Sequence, residues 1–480
     1  MSHKVTRTFT TLLSFPRSAF RGIERISGLV RYGYHIKCVT NKAIRTLTTL
    51  VFLTASFNIY ADSELVKGKY GELAVTLDLK TAAFAGGNPW FGEAHENIGD
   101  AANFWWEGSI EAGAKGTLNF FGGTEFYGAY SYLYAQTAGH DASGLSNGLN
   151  NPGTGDTEKA YAGWRSGMLF PALGKNAIDI SGGRQNYHIG SGLLIYTGTV
   201  NGNEEGAYWI APRQAFKETV IGRFNSGPVK IEVFHLGFHA AKEFNEAGST
   251  NGVNLEYALN DKNTFGFSYL HIYNTEDQAI DGLDVFNGRV DVTPLPFWPQ
   301  LTLGAEYVFE QNDALFQSNG GFAKISYEFQ DTPWTPSLSF RFAGFQGDDP
   351  DTEQNEGFSS LAYGMSDWGT WFQGEIIGEY MLGNSNLHSY LVGLNIKPVK
   401  SLDMHLFYYH FEIAQPESLA DNVTASNFAD EVDLIADWQV NERLSMSAVL
   451  AVAIPNEAAR QFTGGRNTWF QSMLYAAWSL

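Results

Sequence analysis

The chain has 480 residues, with 51 acidic against 31 basic side chains and a formal net charge of −20. So acidic a balance excludes nucleic acid as a partner, because that needs a basic face. A mean hydropathy of −0.19 gives no sign of spanning helices, yet is compatible with strands that cross a bilayer with only every second residue apolar.

The first feature is an apolar run from Leu47 to Tyr60, preceded by Lys42 and Arg45 and closed by Ile59, Tyr60 and Ala61. It predicts a secretory signal cleaved after Ala61, being too short for a spanning helix. Residues before Asn41 carry Lys4, Arg7, Arg17, Arg21, Arg25, Arg31 and Lys37, more than such a signal holds. Val39 is therefore a candidate translation start, the alternative being a cytoplasmic extension removed with the signal. The expected organisation is residues 1–61 as extension and signal peptide and residues 62–480 as one domain. Cleavage removes nine basic residues and one acid, leaving 22 against 50, and takes the single cysteine, Cys38, with it. The mature chain then has no thiol, which suits export through an oxidising compartment.

From Asp62 onward the signal is alternation with period two, and no stretch has helical spacing. Trp106, Gly108, Ile110, Ala112, Ala114, Gly116, Leu118 and Phe120 fall on one face, with Glu107, Ser109, Glu111, Lys115, Thr117 and Asn119 opposite. Successive strand side chains point to opposite faces, so this strand has one apolar and one wet side. Around Arg213 to Phe224 the same phase gives Arg213, Lys217 and Arg223 on one face and Phe216, Val220 and Phe224 on the other, which predicts a ladder of cations along one strand. Val253 to His271 reads as a hairpin turning at Asn260 to Asn263. Val432 to Val452 reads as another, turning at Asn441 to Arg443. Phase also places Arg341, between Phe340 and Phe342, on the wet face, together with Glu375, Glu379, Asp433 and Asp437.

Connections alternate in length: short near Phe121 to Gly123, Asn225 to Pro228, Gln330 to Pro336 and Pro398 to Asp403, long near Gly139 to Thr157, Thr199 to Gln214, Gln346 to Glu356 and Glu412 to Ala429. That rhythm belongs to outer-membrane barrels, with short periplasmic turns and long external loops. It is kept if Gly357 to Tyr363 is a strand of its own, and Gly383 to Asn386 is then an unusually short external loop. The fold class expected is all-β, a single transmembrane antiparallel β-barrel of about 18 strands, roughly 16 to 20. Aromatics at Phe104-Trp105-Trp106, Phe297-Trp298, Trp371-Phe372 and Phe407-Tyr408-Tyr409 suit the two membrane interfaces. The last strand, Phe470 to Leu480, resembles the C-terminal signal read by the barrel assembly machinery, although that signal ends in Phe and this chain in Leu480.

For a barrel, the residues that carry function line the lumen. Those read from phase or motif are Arg184, Arg213, Lys217, Arg223, Arg341, Glu107, Glu111, Glu375, Glu379, Asp433 and Asp437, a mixed lining that filters solutes by charge. The segment Asp179 to Gly192, with Gly183-Arg184-Gln185 followed by Tyr187 and Gly190, resembles the alginate-export family of outer-membrane channels. That resemblance implies an eighteen-stranded monomeric barrel passing anionic polysaccharide, with Arg184 and Arg213 as lumen cations. Strict alternation puts Arg184 on the face of Ile180, so a bulge at Gly182-Gly183 is needed to aim it inward.

The expectation is thus a passive outer-membrane porin of a Gram-negative bacterium, monomeric or trimeric, for small hydrophilic solutes, oligosaccharides or polysaccharides. It needs no cofactor or metal, and its other partners are outer-membrane lipid and lipopolysaccharide. Two other classes are a secreted carbohydrate-binding sandwich and a barrel-borne lipid hydrolase. The hydrolase would depend on His235, which sits on the apolar phase with no serine tied to it by spacing. Asp348, Asp349, Asp351, Glu353 and Glu356 crowd one loop without the spacing of a helix-loop-helix calcium site, and read as a solvated connection.

Overall fold

The computed structural model describes residues 64–93, 104–146, 149–238, 248–275, 280–313, 315–364 and 373–480. The signal segment, Val39, Cys38 and Ala61 lie outside these residues, as do Trp371 and Phe372.

The strands run β1 (Glu64–Gly68), β2 (Gly71–Gly87), β3 (Phe104–Asn119), β4 (Glu125–Gly139), β5 (Gly153–Arg165) and β6 (Ile178–Gln185). They continue as β7 (Phe216–Ser226), β8 (Val229–Gly237), β9 (Ser249–Asn260), β10 (Asn263–Tyr273), β11 (Asp284–Val292), β12 (Leu301–Asn312) and β13 (Phe316–Glu328). The series ends with β14 (Ser337–Phe345), β15 (Leu387–Val399), β16 (Leu402–Ile413), β17 (Asn427–Gln439), β18 (Leu444–Pro455) and β19 (Trp469–Ser479). From β2 to β19 each strand pairs antiparallel with the next, and β19 pairs back onto β2 from Phe470↔Gly87 to Ser479↔Asp78. The sheet is therefore a closed barrel of eighteen strands, with β1 a short flap turned back onto β2. Closure leaves no open edge, the condition for a sheet in lipid.

The alternation in the sequence is the in-and-out alternation of this wall. On β17, Val432 and Leu434 are 43% and 41% exposed, whereas Glu431 and Asp433, which alternate with them, are fully buried. Exposed Val220, Val233, Leu255, Phe267, Leu406 and Leu450 extend the apolar exterior around the barrel. A soluble sandwich buries such residues; here they face out and the carboxylates face in. No described helix is long and apolar enough to cross a membrane.

Two expectations about the wall are corrected. Gly357 to Tyr363 forms no strand, and Gly383 to Asn386 is no separate loop, because residues 346–386 make one long connection between β14 and β15. Its apolar runs are buried on all sides inside the lumen, so their spacing carries no record of a wet face. The aromatic clusters also divide: Phe297 and Trp298 lie outside at the short-turn end, but Trp105, Phe407 and Tyr409 point inward and are buried.

Candidate functional site

The lumen at the long-connection end is filled by segments folded in from the rim: residues 186–215, between β6 and β7, and, between β14 and β15, residues 356–364 and 373–386. They meet across the barrel. Ile195 bridges Ala362 in parallel, Tyr196 N–H donates to Ala362 O at 2.8 Å, Ala362 N–H to Leu194 O at 3.0 Å, and Gly364 N–H to Gly192 O at 3.1 Å. The Tyr208 hydroxyl reaches Glu379 O at 2.9 Å. An aromatic cluster fastens the pair to the wall: Phe84 of β2 stacks on Trp105 of β3 at 4.4 Å, Trp209 packs edge-on to Phe84, and Tyr380 lies between Trp105 and Trp469.

Carboxylates on the inner wall hold these segments by accepting their backbone N–H groups. Glu107 accepts from Trp209 at 3.2 Å and Ile210 at 2.9 Å, and Glu158 accepts from Gln214 and Ala215, both at 2.8 Å. On the other side Glu310 accepts from Ser359 at 2.9 Å, Glu431 from Ile376 and Ile377 at 2.8 Å each, and Asp433 from Glu375 at 3.3 Å. The last three donors open the helical stretch Gly374–Met381, whose wide turns include Leu382 N–H to Ile377 O at 2.8 Å. The first N–H groups of a helix have no partner within it and carry partial positive charge, so two wall carboxylates cap this one from outside its own chain segment. Gly374 makes that approach possible: its φ is 96°, and a Cβ there would lie 2.8 Å from a Glu431 carboxylate oxygen. A buried N–H left unpaired costs about 1–3 kcal/mol, so each tether matters individually.

The residues expected to line the pore are therefore placed unevenly. Glu107 and Glu111 do project inward, Glu111 meeting Lys159 at 2.8 Å and Ser131 at 2.6 Å. Arg341 points inward too, buried, with Nη2 donating to Gln373 at 2.9 Å. Asp433 is a tether, and Asp437 faces the lumen beside Ser447 and His405. Glu375 and Glu379 lie on the helical stretch, not on a strand as phase predicted, and Glu379 Oε2 is buried without a partner among the described residues. Burial, then the charges of Glu375 and Glu107, push the Glu379 carboxyl well above the usual carboxylate range.

The three-cation ladder on one strand is also overturned. Gly183↔Thr219 and Gln185↔Phe216 leave an extra residue on β7, so the phase changes between Phe216 and Thr219. Phe216 turns inside and is fully buried, Lys217 is exposed, and only Arg223 stays on the lumen face, 3.0 Å from Glu232 and 3.7 Å from Asp179. Arg213 precedes the strand: it is 4% exposed, donates through Nη2 to Thr154 O at 2.9 Å, and lies 3.5 Å from Glu205. Its Nε and Nη1 have no partner among the described residues, and burial lowers its pKa from the ordinary arginine value. The same irregularity, with Gly183 at φ 119°, brings Arg184 to the lumen side, 3.6 Å from Asp156. Arg165, Lys230 and Arg289 add further cations on this half of the wall, each beside a carboxylate. Sequence reasoning missed Glu158, Glu310 and Glu431. Their sign was an acidic residue at an inward position near the long-connection end of a strand.

His235 faces outward with Asn251 Oδ1 at 3.0 Å and the Tyr273 hydroxyl at 3.1 Å. Asp348 and Asp349 accept backbone N–H groups of their own loop, from Glu356 and Asp351. Among the described residues, no group of three or more His, Cys, Asp or Glu side chains is arranged to hold a metal ion.

A closed eighteen-strand wall with an apolar exterior, a charged interior and inward-folded connections is the architecture of outer-membrane channels. Solved structures that the chain resembles include OpdK of Pseudomonas aeruginosa with vanillate, at 13% identity and a TM-score of 0.53 over 85% of this chain and 98% of that one. OccAB2 of Acinetobacter baumannii gives 10% and 0.53, and OccK5 (OpdH) of Pseudomonas aeruginosa 9% and 0.52, with the same coverage. No family model matches the sequence, and no curated protein matches it.

Proposed function

We propose that the chain is a passive channel of a Gram-negative outer membrane, without enzymatic activity, admitting small hydrophilic solutes that carry a carboxylate, uronate sugars among them. The observation that carries this reading is Arg213: a buried guanidinium in the inserted segment, close to Arg184, with two nitrogens left to donate. Nε and Nη1 lie on different edges of the guanidinium, so a carboxylate meets either of them through a single charge-assisted hydrogen bond. The structural neighbour solved with vanillate is consistent with a small organic solute. The alginate-export resemblance implies a long polysaccharide as cargo; the two segments that meet inside the lumen favour a monomer or short oligomer instead.

Single-channel recording of the refolded protein in a planar bilayer tests it. Glucuronate is expected to block the current at concentrations where maltose does not, and Arg213→Gln to weaken that block about tenfold. Equal block by both sugars removes the carboxylate preference. Absence of conductance steps removes the channel.

A further inference from the structure

The short-turn end of the barrel carries two contrasting kinds of connection. Asn225 to Pro228, Asn260 to Asn263 and Asn441 to Arg443 are polar. Others present large apolar side chains outward. Phe121, between β3 and β4, is 92% exposed, Phe297, between β11 and β12, is 73%, and Trp334, between β13 and β14, is 59%. Between β5 and β6, Met168, Leu169, Phe170, Pro171 and Ala172 are exposed one after another. Outward residues of the wall run into these patches without a break: Leu118, Phe120 and Phe126 reach the first, Leu338 the last. Contiguous exposed apolar surface of this extent marks a place where something other than water is met.

Charge points the same way. In a chain with 51 acidic residues, residues 166–177 hold no acid and a single base, Lys175, and residues 293–300 hold no charge at all. Residues 329–336 hold one acid, Asp331. The backbone fits as well, because N–H groups that enter an apolar phase need partners within the protein. Met168 N–H donates to Gly122 O at 2.7 Å, tying the β5–β6 turn to the β3–β4 turn. Leu169 N–H donates to Ser166 O and Leu173 N–H to Phe170 O, both at 3.0 Å, and Asn176 N–H to Gly167 O at 2.8 Å. Trp298 N–H donates to Leu295 O at 2.9 Å and Phe329 N–H to Pro336 O at 2.8 Å. Pro171, Pro294, Pro296, Pro299, Pro333 and Pro336 remove further donors outright.

We propose that these apolar turns form two feet set into the periplasmic leaflet, docked at the boundary between phospholipid headgroups and acyl chains, while the polar turns between them stay in water. An aromatic girdle is made of strand side chains; here the connecting backbone enters the leaflet too, as an interfacial segment does. Lys175 stands where its long stem lies along the apolar layer and its ammonium meets a lipid phosphate. The feet, at β3 to β6 and β11 to β14, are separated by four strands on one side of the ring and six on the other. Anchors on roughly opposite sides hold the barrel at a fixed depth and resist its tilting. The inference rests on the membrane reading of the wall but not on what passes through it.

Site-directed spin labels test it on the refolded full chain, carrying Cys38→Ser, in vesicles of phosphatidylethanolamine and phosphatidylglycerol. Leu169→Cys, Phe297→Cys and Trp334→Cys report the feet, Asp261→Cys and Glu442→Cys the polar turns, and Leu434→Cys the lipid-facing wall, with conductance steps showing that each labelled barrel is intact. Labels on the feet are expected to collide several-fold more with oxygen than with a water-soluble nickel chelate, as the Leu434→Cys label does, and labels on the polar turns to show the reverse. Feet as open to nickel as the polar turns, with the wall label still in lipid, overturn the proposal and leave the membrane barrel standing. A wall label open to nickel removes the membrane reading, and the feet with it.

Discussion

The two inserted segments are held by the same chemistry in opposite electrostatic settings. Residues 186–215 rest on Glu107 and Glu158, with Arg184, Arg213 and Lys159 close by, so acids and cations share that side of the lumen. Residues 346–386 rest on Glu431 and Asp433, two positions apart on one strand, with Glu375 and Glu379 added by the segment itself. A carboxylate beside cations keeps its charge with little cost, whereas four buried acids together compete for protons.

The sharpest test of this contrast is Glu431→Ala, which strips two buried N–H groups of their acceptor at about 1–3 kcal/mol each. Conductance is expected to rise several-fold, and deuterium uptake to increase over residues 373–382 while it stays low over 207–215. Glu107→Ala should loosen residues 207–211 in the same assay but open the channel less, because Glu158 still holds Gln214 and Ala215. A rise in pH should act on the second segment through Glu379. The Glu379 carboxyl is raised on folding, so its contribution to stability is complete below its unfolded value of about 4.5 and is lost as pH climbs through its folded value. Deuterium uptake, corrected for intrinsic exchange, at pH 9 against pH 6 checks this, and unchanged uptake over residues 373–382 would remove this role for Glu379. The smallest effect belongs to Lys217→Ala: an exposed side chain on the bulge of β7, it should change stability by under about 0.5 kcal/mol and leave glucuronate block as it is.

The wall was readable from the sequence because lipid outside and water inside impose a period of two. Val253 to Leu259 and Phe265 to His271 became β9 and β10 with the turn where it was expected. The interior was not readable in that way. Ile376 and Ile377 are buried against other protein on every side, so their run reads like strand residues although no strand forms there. Arg213 and Arg223 fell on one face by counting, yet a single extra residue on β7 separated them, because the side-chain period leaves no room for an uncounted position. Of the charges expected inside, Glu107, Glu111, Arg341, Asp433 and Asp437 face inward as phase required. What phase does not supply is which of them grip a loop.

The bridge between Ile195 and Ala362 also has a consequence for the order of assembly. Its two halves are separated in the chain by the eight strands from β7 to β14, so contacts across it have among the longest sequence separations in the molecule and pay loop-closure entropy before they gain anything. Neighbouring strands, by contrast, zip locally through short turns. Strand hairpins are therefore expected to form first, and the two distant loops to meet later, a slow step like the closure of β19 onto β2, whose partners lie still farther apart in the chain.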